Sequence, residues 1–127
     1  MLPLCRSAVN YHLREGRLPR VALEYREDQE QAPLTVCPLS NVKLCVFDSI
    51  ERHNLKQLLD LGLCATVNSD DPVYFGGYIT ENFLAVQRAL DLDRETIVQL
   101  VRNSYRASFL SQGEKTRLQD ELMLYLI

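Results

Sequence analysis

The pattern of apolar and polar positions changes near residue 33. Residues 1–32 contain five arginines and a weak apolar pattern without a helical stripe, so we expect an unmatched leader that is poorly ordered. Residues 34–37 form a short apolar run closed by Pro38, which predicts a buried strand followed by a loop at residues 39–41. The pattern therefore separates residues 1–32 from residues 33–127.

A helix and a second strand are predicted after the first strand. Ser49 is the predicted N-cap, and apolar positions between residues 55 and 59 repeat at helical spacing until Gly62 supplies a stop. Residues 63–67 form another apolar run, which predicts a second buried strand.

Three helices are predicted in the remaining chain. Thr80 is the predicted N-cap of the first, and Asp93 precedes the second. Gly113 is expected to interrupt the pattern, and residues 114–127 have the spacing of an amphipathic helix. The order of strands and helices, with strands that are apolar throughout, is typical of parallel β/α units. Two parallel strands are too few for a covered sheet, so the chain has the pattern of one part of a β/α architecture.

The composition excludes several function classes. A formal net charge of -3 gives no basic surface for nucleic acid, and the apolar runs are far shorter than the roughly 18 residues of a membrane helix. We therefore expect no nucleic-acid partner and no membrane partner. The first residues lack a basic region followed by a sustained apolar stretch, so we expect no secretory signal and a cytoplasmic location.

The cysteines and histidines do not form a metal-binding pattern of their own. The chain contains two histidines, His12 and His53, and we expect His53 to be structural rather than a ligand. There is no Cys-x-x-Cys pair, which excludes a zinc-finger pattern. We expect reduced, buried and inert thiols at the four cysteines, Cys5, Cys37, Cys45 and Cys64.

Two adjacent carboxylates, Asp70 and Asp71, follow the second predicted strand. In parallel β/α proteins ligands bind where strands end, and adjacent side chains leaving a strand point in different directions. One carboxylate could then face an ion while the other contacts a substrate. The alternative is that Asp70 or Asp71 caps the following turn. The residue types alone leave both interpretations open.

Two stretches resemble one enzyme family: PLTVCPLSNVKL at residues 33–44 and NSDDPVYFGGY at residues 68–78. Together they are similar to the C-terminal portion of the adenosine/adenine deaminase family, which are zinc-dependent aminohydrolases on a (β/α)8 barrel. The resemblance extends from about residue 33 to residue 110, and the details of both motifs are closer to the adenine deaminase branch. Val73 replaces an expected alanine without changing the carboxylates.

The resemblance implies a fold and a role for each carboxylate. The fold class is α/β: a partial (β/α)8 (TIM) barrel, with residues 34–37 and 63–67 as its last two strands, followed by C-terminal helices. Asp70 matches the family's aspartate zinc ligand, and Asp71 matches the aspartate that hydrogen-bonds the purine ring at N7. The implied cofactor is zinc, and the implied substrate is a purine base or nucleoside whose exocyclic amine is removed by hydrolysis.

Other parts of the family pattern do not occur in this sequence. It has no His-x-His metal pair, no third metal histidine with its nearby glutamate proton donor, and no Asp-His-Gly segment. A catalytic zinc needs three or more protein ligands, and such barrels take about 250 residues. We therefore assign no catalytic residue and expect the chain to be inactive alone.

Two other interpretations remain open. The chain could assemble with another polypeptide that carries the earlier strands. It could instead be a non-catalytic interaction module, or an oligomer, that pairs through exposed strand edges.

Overall fold

The computed structural model describes residues 32–127. The predicted leader, with His12 and Cys5, lies outside these residues. In chain order the elements are β1 (Leu34–Val36), α1 (Pro38–Lys43), a 3₁₀-helix (Ile50–Arg52), α2 (Leu55–Asp60), β2 (Ala65–Val67), α3 (Pro72–Phe75), α4 (Ile79–Ala89), α5 (Arg94–Ala107) and α6 (Gln112–Leu124).

The two strands form a parallel sheet, as the sequence predicted. In residues 32–127 the sheet has two strands, with Leu34 opposite Ala65 and Val36 opposite Val67. Because the strands are parallel and in register, their carboxyl ends lie side by side. The segments that follow β1 and β2 therefore begin at the same edge of the sheet.

The core is formed by both strands and the helices that pack on them. Helix α5 packs closely on β2, and α4 and α2 also contact this strand. Apolar residues three or four positions apart, on one face of each helix, supply the contacts, as the helical spacing predicted. The buried apolar side chains of this cluster are Val36, Leu55, Leu58, Ala65, Val67, Val86, Leu92 and Leu100.

The segment after β1 differs from the prediction. Residues 39–41, expected to form a loop, lie inside helix α1, which begins at Pro38. Proline suits the first helical position because its fixed φ matches the helix and its missing N–H would have no intrahelical partner. The N–H of Leu39, also unpaired within the helix, donates to Asn82 Oδ1 at 3.1 Å. A tertiary contact thus helps to start a helix that local sequence did not indicate.

Several predicted helix boundaries are confirmed and others are shifted. Gly62 follows α2 with a φ of 74°, which confirms the predicted stop. Asp93 is the N-cap of α5, and its carboxylate accepts from Thr96 N at 2.8 Å. Ser49 precedes the 3₁₀-helix rather than α2. Thr80 lies inside α4, whose N-cap is Tyr78, so the predicted cap at Thr80 is wrong.

The C-terminal helix also differs from its prediction. Gly113 lies inside α6, and Ser111 is the N-cap. The predicted helix is confirmed, but no residue of α6 is buried: Leu118 and Leu122, at the spacing that predicted an amphipathic helix, are half-buried. In the part of the chain that the structure describes, no helix is both long and apolar enough to span a membrane.

Candidate functional site

Asp70 lies beyond the carboxyl end of β2 with its backbone in the left-handed region. Its φ is 59°, a conformation that aspartate tolerates better than most residues. Its carboxylate is contacted by helix α1, which follows the neighbouring strand: Ser40 Oγ donates to Asp70 Oδ2 at 2.8 Å. Parallel pairing thus brings together two residues that are far apart in sequence. The serine is buried and the aspartate is exposed.

Asp71 points toward its own following helix. It is the N-cap of α3, and its Oδ1 accepts from Val73 N at 3.1 Å and from Tyr74 N at 3.2 Å. The helix ends at Gly76, which has a φ of 84°. The capping interpretation is therefore correct for Asp71, while the side chain of Asp70 makes a tertiary contact instead.

Each carboxylate retains an oxygen that can accept a ligand contact. Among the described residues, Oδ1 of Asp70 and Oδ2 of Asp71 have no hydrogen-bond donor. Both residues are exposed. The other oxygen of each carboxylate already accepts a hydrogen bond. This limits the orientations available to the oxygen that has no described donor.

The donor set fits one part of a metal site and not a whole one. Within residues 32–127 there is no group of three or more His, Cys, Asp or Glu side chains that could hold a metal ion. Asp70 has the chemistry of a single ligand, since ligating carboxylates are commonly held by a second hydrogen bond such as the one from Ser40. The described residues therefore supply carboxylate oxygens but no complete ligand set for zinc.

His53 has a structural role, as expected. It is 4% exposed, and burial lowers its pKa to about 4. Leu55 N donates to Nδ1 at 3.1 Å, so the neutral ring carries its proton on Nε2, which lies 3.1 Å from Asn41 Oδ1. Both ring nitrogens are thus engaged within the fold, and neither is available to a metal.

The cysteines separate into two groups. Cys37 and Cys64 are buried, in agreement with the prediction, and burial raises the pKa of the Cys64 thiol. Cys45 is exposed, so the prediction of a buried thiol is wrong there. Cys45 has a φ of 56° in the turn after α1, and its Sγ lies 4.0 Å from Lys43 O at the surface.

Asn82 supports the site and was not predicted from the sequence. It is fully buried, accepts from Leu39 N, and donates through Nδ2 to Gly77 O at 3.2 Å and to Tyr78 O at 2.9 Å. It thus connects α1 to the loop after α3. One feature of the sequence could have indicated this role: Asn82 is a polar residue four positions before Val86, and therefore lies on the apolar face of α4.

Gly77 permits this close approach. A Cβ atom at this position would lie 2.5 Å from Leu39 Cδ1 and 2.9 Å from Glu81 Cβ. Glycine therefore allows the loop after the carboxylate pair to pack against α1 and α4.

Comparisons with known proteins identify the family to which this chain is similar. A family model described as adenosine deaminase matches residues 21–125. An adenine deaminase of Hahella chejuensis is 60% identical over 105 residues, which cover 83% of this chain and 31% of that protein. An adenine deaminase of Crocosphaera subtropica is 61% identical over 90 residues, covering 71% of this chain and 28% of that protein.

A solved structure extends the agreement to the fold. The crystal structure of adenine deaminase from Arthrobacter aurescens matches with a TM-score of 0.75 and 42% identity, covering 84% of this chain and 31% of that one. This chain therefore spans less than a third of the length of each of these relatives. The fold prediction is confirmed: two parallel strands and their helices form part of a (β/α)8 barrel.

Proposed function

Because the chain belongs to the adenosine deaminase family, we propose that it is part of a zinc-dependent purine deaminase that hydrolyses adenine to hypoxanthine and ammonia. The observation that carries this proposal is the arrangement of Asp70 and Asp71, which leave one strand end in different directions, each with one open oxygen. Relatives named adenine deaminase favour adenine over adenosine, whose product would be inosine.

Asp70 is the proposed zinc ligand. Zinc in such a site would activate the water that attacks the purine ring. The described residues contribute the carboxylate of Asp70, and Ser40 holds its second oxygen at 2.8 Å. Since zinc in a catalytic site needs about three protein ligands, the others must come from elsewhere than residues 32–127.

Asp71 is the proposed contact to the purine ring at N7. Its Oδ1 is occupied by the two N–H groups of α3, so Oδ2 is the atom that remains for the ring. The cap fixes the carboxylate relative to the strand end, and a fixed acceptor orients a planar base better than a mobile one. In this proposal, capping and substrate binding are two uses of one side chain.

In the hydrolysis, water adds to the ring carbon that carries the exocyclic amine, the bond between this carbon and the amine nitrogen breaks, and ammonia is released. The addition of water requires a group that transfers a proton to the ring. His53 is the sole histidine in residues 32–127, and both of its ring nitrogens are engaged. We therefore assign no catalytic residue and propose that the 127-residue chain is inactive alone.

The activity test measures ammonia release from adenine and from adenosine by the purified chain with added zinc, beside Asp70→Ala. We expect no release above background from either protein. Release that depends on zinc and disappears in Asp70→Ala would show that the chain is active alone and would overturn the proposed inactivity.

The binding test follows zinc and adenine separately by NMR. Because residues 32–127 supply one proposed ligand, we expect at most a weak response of Asp70 to zinc. Asp70→Asn should remove this response and Asp91→Asn should retain it, because Asp91 is also exposed and has a φ of 49° but lies between α4 and α5. Asp71→Asn should weaken the response to adenine. Asparagine preserves a helix cap, so folding is retained, and Asp93→Asn at the N-cap of α5 is the matched control. The zinc-ligand role of Asp70 would be contradicted if Asp70→Asn and Asp91→Asn changed the response to zinc equally. The role of Asp71 toward the purine would be contradicted if Asp71→Asn and Asp93→Asn changed the response to adenine equally.

We also propose that the barrel portion occupies residues 33–127, that residues 1–32 are a separate leader, and that the reaction takes place in the cytoplasm. The family match begins at residue 21, within the proposed leader. Limited proteolysis tests the boundary. Early cleavage confined to residues 1–32 would support it, and protection of residues 21–32 would shift the boundary toward the N-terminus.

A second candidate function is pairing through a strand edge, and it is favoured by the side of β1 with which no other strand of residues 32–127 pairs, called the open side here. Leu34 N donates to Cys64 O and Val36 O accepts from Asn68 N, each at 2.8 Å, so the backbone groups of Thr35 point away from β2. Thr35 is exposed. By contrast, Asn103 Nδ2 donates to Ala65 O of β2 at 2.8 Å.

This edge could pair with a second copy or with a polypeptide carrying the earlier strands. Thr35→Pro removes one backbone donor on the open side and should lower self-association in sedimentation experiments. The Asp70→Ala, Asp71→Ala double variant should leave it unchanged. A monomer at all concentrations, without a co-purifying partner, would contradict this second function.

A further inference from the structure

The start of helix α2 is bonded by a histidine ring and not by the asparagine that precedes the helix. Asn54 occupies the N-cap position, but its side chain makes no capping hydrogen bond. Instead, Leu55 N donates to Nδ1 of His53 at 3.1 Å. His53 has the extended backbone of a typical N-cap residue, whereas Asn54 has a φ of -82° and a ψ of 8°. The first N–H of α2 therefore depends on a ring nitrogen that can bind a proton.

Asn54 is a buried amide without a partner. It is 3% exposed, and neither its Oδ1 nor its Nδ2 forms a hydrogen bond within the described residues. Buried amides normally form hydrogen bonds, because an unpaired polar group in the interior costs free energy. The residue that follows His53 in the chain thus carries an acceptor oxygen that the neutral fold does not use.

The two ring nitrogens of His53 respond differently to a proton. Nε2 donates to Asn41 Oδ1 at 3.1 Å, and it is a donor in the neutral ring and in the charged ring alike. Nδ1 accepts in the neutral ring alone, and a proton there converts it into a donor that faces the N–H of Leu55. Protonation therefore keeps the bond from the ring to α1 and removes the bond to α2.

The groups around the ring of His53 are neutral. The ring of Phe47 lies against it, with the ring centroids 4.4 Å apart, and burial is what lowers the pKa of His53. The charged residues of α1, of residues 44–52, of α2 and of α4, which contacts the 3₁₀-helix, are all exposed. They are Lys43, Asp48, Glu51, Arg52, Lys56, Asp60, Glu81 and Arg88. A proton on Nδ1 thus needs a neutral acceptor, and among the described residues Asn54 has the buried side-chain acceptor without a donor.

We propose that His53 and Asn54 form a proton-driven switch at the start of α2: the neutral ring accepts from Leu55 N, and the protonated ring donates its Nδ1–H to Asn54 Oδ1. The proton comes from solvent and binds the lone pair that otherwise accepts from Leu55 N. Leu55 then loses its acceptor and the first turn of α2 loosens, while Asn41 keeps the ring on α1. The switch does not depend on the proposed function.

The first experiment titrates His53 in the full chain by ¹⁵N NMR of its ring, with His53→Gln to separate its signals from those of His12. At pH 7 we expect the ring proton on Nε2. Asn54→Leu removes the acceptor and should lower the proton affinity of His53 about tenfold, as for the loss of a hydrogen bond to a charged group. Gln57→Leu, at an exposed position of α2, should leave the affinity unchanged. A proton on Nδ1 at pH 7, or equal affinity in Asn54→Leu and the wild type, would overturn the proposal.

Two further measurements test the neutral and the protonated state separately. At pH 7, Asn54→Leu should raise the urea midpoint of unfolding, because it removes an unpaired buried amide. A lower midpoint would show that the amide has a partner in the neutral fold and would overturn the proposal. On acidification, the amide signal of Leu55 should shift as His53 titrates, whereas that of Val46, which donates to Asn41 O at 2.9 Å, should not. Equal shifts, or loss of both signals together, would contradict a selective release of α2.

Discussion

The region around Asp70 and Asp71 and the C-terminal helix α6 are both polar and partly exposed, but they are held in different ways. Around the carboxylates, buried side chains form the contacts: Ser40 and Asn82 are at most 1% exposed and join α1 to the loops on either side of α3. Breaking these hydrogen bonds leaves polar groups unpaired in the interior, which is costly.

Helix α6 depends on local and surface interactions. Ser111 and Glu114 form a capping box, Arg94 Nη2 donates to Leu126 O at 3.3 Å, and Lys115 Nζ donates to Arg106 O at 2.9 Å. No residue of the helix is buried, and the side chain of Leu124 is 72% exposed. Solvent can replace each of these interactions, so a change in α6 should cost little.

The difference shows where the fold controls geometry. A buried hydrogen-bond network allows one arrangement of the strand ends, because each alternative leaves donors or acceptors unpaired. A helix held by a cap and surface contacts can shift or fray at its end with a small loss of free energy. Accurate placement of functional groups is therefore expected at the strand ends and not along α6.

The largest effect should come from the core beneath the carboxylate region. Leu100 of α5 is fully buried and belongs to the cluster around β2. Leu100→Ala should lower the free energy of unfolding by about 2–5 kcal/mol, because a cavity remains after truncation. Leu124→Ala in α6 should change it by less than about 0.5 kcal/mol. Urea unfolding of both variants tests the comparison, and similar losses would contradict it.

Loss of the buried amide should have the next largest effect. Asn82→Ala leaves the Leu39 N–H and the carbonyl groups of Gly77 and Tyr78 without their partner. We expect a loss of about 2–3 kcal/mol in urea unfolding, since each unpaired buried group is penalised. Asn82→Asp keeps an acceptor for the Leu39 N–H but removes the amide donor to both carbonyl groups, so it should not restore stability.

The control for the amide is Gln119→Ala, at an exposed position of α6, which should have no measurable effect. An effect of Asn82→Ala as small as that of Gln119→Ala would mean that the buried network does not set the stability of the carboxylate region.

Acidification should affect the carboxylate region through His53. Burial lowers its pKa to about 4 in the folded chain, against 6.5 in the unfolded chain, so folding favours the neutral ring. The stabilisation is complete above pH 6.5 and is lost as the pH falls toward 4, because the unfolded chain binds the proton more tightly. We expect a loss of about 2 kcal/mol between pH 7 and pH 5.

Urea unfolding at a series of pH values measures this loss, and His53→Gln should remove most of it. The interval between pH 7 and pH 5 lies above the ordinary pKa values of the carboxyl groups, which separates His53 from them. If the pH dependence in this interval is the same in His53→Gln, the burial of His53 is not its cause.

The smallest effect should be in the helix cap of α6. Ser111 Oγ accepts from Glu114 N at 3.4 Å, and Ser111 N donates to Glu114 Oε2 at 3.0 Å. Ser111→Ala should cost about 1 kcal/mol of local helix stability and should speed amide exchange in the first turn of α6. Exchange at residues 68–78 should not change. Faster exchange there would show that the two regions are coupled.

The sequence alone determined the elements whose signals are local. The two apolar strands, the stop at Gly62 and the cap at Asp93 were predicted because runs of apolar residues, a left-handed glycine and a capping carboxylate act within a few positions. The sequence also located the two carboxylates at a strand end. The family resemblance was carried by the motifs at residues 33–44 and 68–78, and the family match confirmed it.

Only the tertiary structure decided how these parts meet. Ser40 and Asp70 are 30 positions apart in the sequence, and Leu39 and Asn82 are 43 positions apart. Sequence patterns cannot specify such partners, because parallel pairing brings them together only when both strands are in register. Likewise α6 has helical spacing, but its burial depends on whether another element covers it. Local propensity sets the elements, and the pairing of β1 with β2 sets the site.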